Sequence, residues 1–410
     1  MRHTWTVLVL FVVLFRPLAA SADVVVDWNQ IMLTTIAAQN PFAQARFGAI
    51  TQLAVFEAVN ACTKRYQSYL DGVTAPFGAS PQAAAAAAAH AVLKFYFPSQ
   101  TATLDAKLAQ SLASIPEGQS KWDGIAVGET AAAAMIEQRA ADGSTPAETF
   151  LPASNDPGVW QTTPPAFGPG ILLHWRNLTP FGIVSSDQFR SAPPPALTSR
   201  TYTRSFHEVR AVGSIDSAAR PQDRSNVASF FAAASASYAW NSAVQQVVTA
   251  QWRSLTFNAR VFALLNMAIS DGLVSSMETK YHFLLWRPVT AIRLGDTDDN
   301  PATDVDAGWT PFVTTPSFPS YPSAHASASY AARAVAERFL SAGRHHAFTL
   351  THPAVPGVTL SYRSFHDLTA DIDDARVYGG IHFRFDQEAG ARQGSQVGWY
   401  IHTHWLRRRR

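Results

Sequence analysis

The stretch ARVYGGIHFRFD, residues 375–386, decides how this chain is read. It holds Arg376, then His382 six residues on, then Asp386 four further, with Gly379 and Gly380 between the first two. At about 100° per residue, an unbroken helix would point Arg376 and His382 about 120° apart. The two converge only if the glycine pair redirects the backbone, so the stretch predicts helix, break, helix, with the break just before His382. His382 and Asp386, at i and i+4, are expected to share a helix face. There the carboxylate would hold the imidazole in one tautomer. A guanidinium and an oriented histidine could then meet one small anion; the competing reading is an ordinary helix-turn-helix with a satisfied histidine.

Outward from this stretch the pattern stays helical. Towards the N-terminus, 367–378, 323–341, 280–292, 256–277, 242–252 and 225–238 read as helices, and 383–404 follows it. Further back, 122–142 is closed by Gly143, preceded by 102–112, by 82–97 entered at Pro81, by 44–62, and by a short first helix at 27–38. In 44–62 the apolar residues Phe47, Ile50, Leu53, Ala54, Phe56 and Val59 recur with a helical rather than an alternating period. No run suggests a strand, and no repeat of fixed period is present. Between Gly143 and Ser205 the character changes: ten of the 25 prolines lie from Pro146 to Pro195, interleaved with Trp160, Phe167, Trp175 and Phe181. Proline at that density excludes regular helix, but so many aromatics argue for an ordered belt packed across helices rather than a linker. The expected fold is all-α, two packed helical bundles sharing a core in one domain over 23–410. Its parts are N-terminal helices (23–142), the belt (143–205) and a C-terminal helical part (206–410).

The first 22 residues read as a signal peptide. Arg2 and His3 precede an apolar run from Trp5 to Phe15, and Ala20-Ser21-Ala22 offers a small-residue cleavage site. The run is shorter than the roughly 20 residues that span a bilayer, so the expectation is a secreted or periplasmic protein with no transmembrane anchor. Removing Arg2 and Arg16 with it leaves 30 basic against 30 acidic residues, a balance with no footprint for nucleic acid or an acidic membrane. Arg407 to Arg410 reads as a solvated tail. The single cysteine, Cys62, cannot make an internal disulfide, and no Cys/His cluster has zinc spacing. Asp296, Asp298, Asp299, Asp304 and Asp306 lack the spacing of a calcium loop.

Two further segments carry chemistry. In KYHFLLWRP, residues 280–288, Lys280 and Arg287 at i and i+7 would share a helix face and close on one anion. Pro288 should kink the chain at Arg287. With five lysines against 27 arginines in the chain, a lysine here is conspicuous. In YPSAHA, residues 321–326, Ser323 opens a helix. Free amides, a positive dipole end and a hydroxyl make that an anion site, with His325 placed as acid or base. His366 reads as a capping or water-facing residue near the entrance, and His282 as a packing residue.

Taken together and in this order, the three segments resemble the superfamily of vanadium-dependent haloperoxidases and type-2 phosphatidic acid phosphatases. Its pattern is Lys-x6-Arg-Pro, Pro-Ser-Gly-His and Ser-Arg-x5-His-x3-Asp. Residues 23–28 through 57–61, 160–167 and 193–197 resemble secreted bacterial haloperoxidase-like proteins as well, so the similarity covers nearly the whole chain after the signal. The chain departs from the pattern at Ala324, in place of glycine, and at Ala375, in place of serine.

The resemblance implies an oxyanion cradle of Lys280, Arg287, Arg376, Ser323 and the Ala324 amide, holding vanadate or, in the same place, phosphate. It implies His382 as the group bonded to vanadium and oriented by Asp386, with His325 as acid/base. In a haloperoxidase, hydrogen peroxide would lose a proton to His325 and be polarised by Lys280, and halide would be oxidised to hypohalous acid. In a soluble acid phosphatase, His382 would attack a phosphate ester and His325 would protonate the leaving alcohol. Leu285-Trp286-Arg287-Pro288 and His382-Phe383-Arg384-Phe385-Asp386 are similar to the haloperoxidase versions of these motifs. A non-catalytic relic of the fold is the third reading, permitted by Ala324 and Ala375.

Overall fold

From Val261 to Tyr281 every residue of one 29-residue helix, Leu255–Phe283, is buried. A helix with no polar face belongs at the centre of a large protein. The computed structural model of the chain describes residues 23–341 and 346–409, and among them thirteen α-helices and one short hairpin. In chain order the helices are α1 (Val24–Ile36), α2 (Pro41–Thr63), α3 (Pro81–Tyr96), α4 (Thr101–Ala113), α5 (Gln119–Gln138), α6 (Arg200–Val212), α7 (Gln222–Ala233), α8 (Ala236–Ala250) and α9 (Leu255–Phe283). Then come α10 (Pro288–Arg293), α11 (Ala324–Leu340), β1 (Phe348–Thr351), β2 (Thr359–Tyr362), α12 (Phe365–Tyr378) and α13 (Arg384–His404).

The all-α reading with two bundles holds. α2, α3 and α5 pack together on one side of α9, and α11 and α13 pack on the other. One hydrophobic core runs through both sets. A second, smaller aromatic core of Tyr202, Phe206, Trp286, Phe383 and Phe385 lies beside the chemistry-bearing segments.

The proline-rich belt is ordered, and α9 holds it. Asp271 accepts the amides of Phe181, Gly182 and Ile183 at 2.7, 2.6 and 2.9 Å, and Glu278 pairs with Arg190 through Nε at 2.9 Å. Trp160, Trp175 and Phe181 are buried under it.

Several expectations are corrected. The belt ends earlier, because Ser199 caps α6 and buries Tyr202, Phe206 and Val209. α5 stops at Gln138 rather than Asp142: the Asp142 carboxylate turns inward to Arg46 (2.7 Å) and Arg139 (3.0 Å). Segment 280–292 is two helices, not one. A two-stranded antiparallel hairpin, Phe348 opposite Tyr362 to Thr351 opposite Thr359, stands where no strand was expected; its four-residue strands are too short to show a period. Arg407 to Arg409 are exposed, as expected of a solvated segment, but their backbone is pinned: Arg408 bridges Tyr66, and the Gln67 amide donates to the Arg407 carbonyl at 2.7 Å. The signal-peptide segment lies outside the described residues.

Candidate active site

Lys280 lies in the last turn of α9, which stops because Leu284 takes the left-handed conformation at φ 55°. The chain then runs extended to Arg287, held there (φ −87°, ψ 157°) by the proline that begins α10. Lys280 and Arg287 thus come from different elements and do not share the helix face expected of them, yet they converge on one carbonyl-rich segment. Lys280 Nζ donates to the carbonyls of Pro319 (2.9 Å) and Ser320 (2.6 Å), and Arg287 Nε to that of Phe318 (2.7 Å). Both cations lie over the Phe318 ring, at 5.3 and 5.0 Å.

Gly380, at φ +77°, breaks the chain between α12 and α13, where a Cβ would meet the Gly213 carbonyl oxygen at 2.3 Å. His382 therefore precedes α13 rather than riding on it, and the shared helix face expected for His382 and Asp386 does not exist. Asp386 is the third residue of α13 and reaches back. Its Oδ2 accepts His382 Nδ1–H at 2.8 Å, the Phe383 amide at 3.1 Å and the Ser320 hydroxyl at 2.6 Å. With Nδ1 donating, Nε2 carries the lone pair, and Arg287 Nη1 donates to it at 3.1 Å.

Ser323 caps α11 as expected, its Oγ accepting the Ala326 amide at 3.3 Å. The first amides of the helix, Ala324 and His325, have no intrahelical acceptor. Arg376, in the last turn of α12, donates through Nη1 to the Phe231 carbonyl at 2.8 Å, and the Phe231 ring meets His325 edge-on at 5.9 Å. The substituted positions are benign in packing: both Ala324 and Ala375 are buried in the main core.

The electrostatics are lopsided. Lys280 and Arg287 are fully buried and Arg376 nearly so. Asp386 is the carboxylate among them, and it is taken up by His382 and Ser320. None of the three cations forms an ion pair among the described residues, an arrangement that is costly unless an anion arrives. Three buried polar nitrogens, Arg287 Nη2, Arg376 Nε and His325 Nε2, lack partners. Burial, then Arg287, hold the Lys280 ammonium well below its usual range. Burial, then Arg287, Lys280 and Arg376, keep His382 neutral, and burial with Arg376 pushes His325 down to about 3. Burial lowers Arg287 to about 9 and Arg376 to about 10, so both stay cationic at neutral pH. Burial raises Asp386 to about 6, still ionised at neutral pH.

An oxyanion suits this donor set: unpaired N–H groups to hold its oxygens and one imidazole lone pair facing its centre. A bare cation does not, since among the described residues no cluster of three His, Cys, Asp or Glu side chains has metal-binding geometry. Asp298 is occupied by the Thr303 hydroxyl (2.8 Å). His366 is exposed beside Asp367, and His282 is exposed against Phe283 rather than packed inside.

The structure thus brings Lys280, Arg287, Ser323, Ala324, His325, Arg376, His382 and Asp386 into one region, leaves His282 and His366 exposed, and adds Phe318, Pro319, Ser320 and Phe231. The spacing of Pro316, Pro319 and Pro322 was the available signal for the first three, because it marks extended backbone with unpaired carbonyls; nothing local marks Phe231. A cavity of about 450 Å³ is lined by Ser229, Ala232, Ala233, Phe312, Val313, Ala354 and Val355, on the helix that carries Phe231 and the loops beside it. Another, about 1160 Å³ between α1, α4 and the 115–120 loop, is lined by none of the candidate site residues.

Comparison with known proteins agrees with the geometry. Residues 260–409 match the family described as the VCPO second helical-bundle domain. A vanadium chloroperoxidase of Curvularia inaequalis is 27% identical over 177 residues, covering 32% of this chain and 28% of that protein; the match thus spans little more than a quarter of its length. Among solved structures, the first bacterial vanadium-dependent iodoperoxidase superposes with a TM-score of 0.77 at 25% identity, over 94% of this chain and 96% of that one. A holo-type bacterial vanadium-dependent chloroperoxidase superposes at 0.71 with 19% identity, over 90% and 93%, which shows the shared fold.

Proposed function

We propose that this chain, which resembles the vanadium haloperoxidases in its C-terminal sequence and in its fold, is a vanadate-dependent haloperoxidase exported behind a signal at residues 1–22. The observation that carries the reading is the pairing of a neutral, Asp386-oriented His382 with three buried cations that the one carboxylate among them, Asp386, leaves in excess. Lys280, Arg287 and Arg376 would neutralise the oxyanion, while Ser323 and the amides opening α11 would hydrogen-bond it. His382 Nε2 would bond its centre once Arg287 Nη1 releases the lone pair. Bound vanadate would supply the activation of hydrogen peroxide toward halide. His325, neutral and unpartnered at Nε2 among the described residues, would take a proton from the incoming peroxide, and Lys280 would polarise it.

Phosphate fits the same cradle, and His382 would then serve as nucleophile in a phosphatase. The haloperoxidase reading is preferred on the Leu285–Pro288 and His382–Asp386 wording and on the relatives. No helix among the described residues is long and apolar enough to cross a membrane.

Titration calorimetry with orthovanadate tests the assignment of the site. Wild-type protein should bind one vanadate per chain. His382→Ala should bind at least tenfold more weakly, because the loss of a ligand exceeds the 10–100-fold effect of its orienting partners. Equal binding by the variant would remove His382 from the site, and no binding by wild-type protein would leave a relic of the fold.

A further inference from the structure

Arg407, Arg408 and Arg409 are fixed in place although they are exposed. Lys64 and Arg65, just past α2, are exposed, as are Arg407, Arg408 and Arg409. The two segments are zipped antiparallel: Tyr66 bridges Arg408, and the Arg409 amide donates to the Arg65 carbonyl at 3.1 Å. Beneath them Tyr66 and Leu406 are buried, and Arg260 locks the turn by donating to the Leu406 carbonyl at 2.7 Å. None of the five exposed cations forms an ion pair among the described residues. Arg407 and Arg409 make only neutral contacts, to Gln67 and Ser68 at 3.1 and 3.4 Å. This is a rigid ridge of five exposed cations without ion pairs among the described residues; the acids near it are Glu57, buried beneath, and Asp71.

Two protruding apolar side chains flank the ridge. Trp399, 59% exposed, stands near the end of α13 with its ring edge against His404. Val184, 76% exposed, follows Gly182, whose carbonyl accepts the Trp405 indole N–H at 2.8 Å. Cations beside an interfacial tryptophan match an anionic bilayer, where guanidiniums meet headgroup phosphates and indole rests at headgroup depth. An exposed valine has nothing to gain against a nucleic-acid backbone and does gain against acyl chains.

We propose that the Lys64–Arg65 and Arg407–Arg409 ridge, with Trp399 and Val184, docks this protein on an anionic lipid surface. α13 has 21 residues, about 30 Å at 1.5 Å each, so the ridge at its C-terminal end leaves the candidate site at its N-terminal end open.

Co-sedimentation of the full chain with vesicles tests the proposal. Binding is expected to vesicles of phosphatidylcholine with phosphatidylserine, and not to phosphatidylcholine alone. About 0.5 M salt should release it. Combining Arg407→Gln, Arg408→Gln and Arg409→Gln should weaken binding roughly 100-fold, at about fivefold per basic residue. Trp399→Ala should weaken it severalfold without changing its salt dependence. Equal binding to neutral vesicles, no binding to anionic ones, or capture by heparin without capture by vesicles would overturn the proposal. Should the triple variant fail to fold, the lipid and salt dependence of the wild-type chain still decides.

Discussion

At the scale of single residues, the site is a set of groups ionised or neutral for want of a partner. Lys280 and His325 are held below their usual pKa ranges by burial and by neighbouring cations. An arriving anion offsets that repulsion, so both values rise. Vanadate affinity should therefore fall at alkaline pH as Lys280 loses its proton, and Lys280→Met should flatten that fall; an alkaline limb unchanged in Lys280→Met would contradict this. The orienting chain Ser320–Asp386–His382 gives a second expectation. Asp386→Asn should cost vanadate affinity 10–100-fold, and Ser320→Ala less, since Asp386 Oδ2 keeps the His382 and Phe383 donors. Equal losses from the two would mean that Ser320 acts directly on the anion. The three cations, both histidines and Asp386 were legible in the sequence because their chemistry is local to each motif. The carbonyls that steady Lys280 and Arg287 were not, because any residue type supplies a carbonyl and only the fold says which ones face inward.

At the scale of elements, the site depends on how closely α13 lies on α11. Gly390, Gly394 and Gly398 form a stripe along α13, and a Cβ on Gly394 would meet the Ser327 carbonyl oxygen at 2.1 Å. The contact holds the two site-bearing ends together, with the Ser323 amide donating to the Asp386 carbonyl at 3.0 Å. Gly394→Ala should lower stability by about 1–3 kcal/mol in denaturant melts, and should also weaken vanadate binding by separating Ser323 from Asp386. A variant of unchanged stability would show that the helices have room to spare. Helix existence was readable from the 3.6-residue period, and the break before His382 from two adjacent glycines. The single helix inferred over 280–292 failed for a tertiary reason: Arg287 is drawn into the interior by the Phe318 and Ile381 carbonyls, which no periodicity reveals. α6 was missed although Tyr202, Phe206 and Val209 carry a helical spacing, because the nearby prolines extended the belt reading across Ser199.

At the scale of the whole molecule, excess buried charge makes the protein ligand-stabilised, and His325 adds an acid-labile contribution. His325 titrates near its ordinary value of about 6.5 when unfolded and at about 3 when folded without anion. The unfolded chain binds that proton first, so the His325 contribution should fall as pH drops from about 6.5 toward 3, read as the difference in stability between wild-type protein and His325→Phe across that range. Vanadate at about 100 times its dissociation constant should add roughly 2.7 kcal/mol, read as a rise in Tm and relief of the acid sensitivity. The central claim is that this anion site runs halide oxidation. Its most direct test is activity of purified protein with and without orthovanadate, assayed in parallel on iodide or bromide with hydrogen peroxide and on a phosphomonoester. The account predicts halide oxidation that requires vanadate; phosphomonoester hydrolysis without halide oxidation would contradict it.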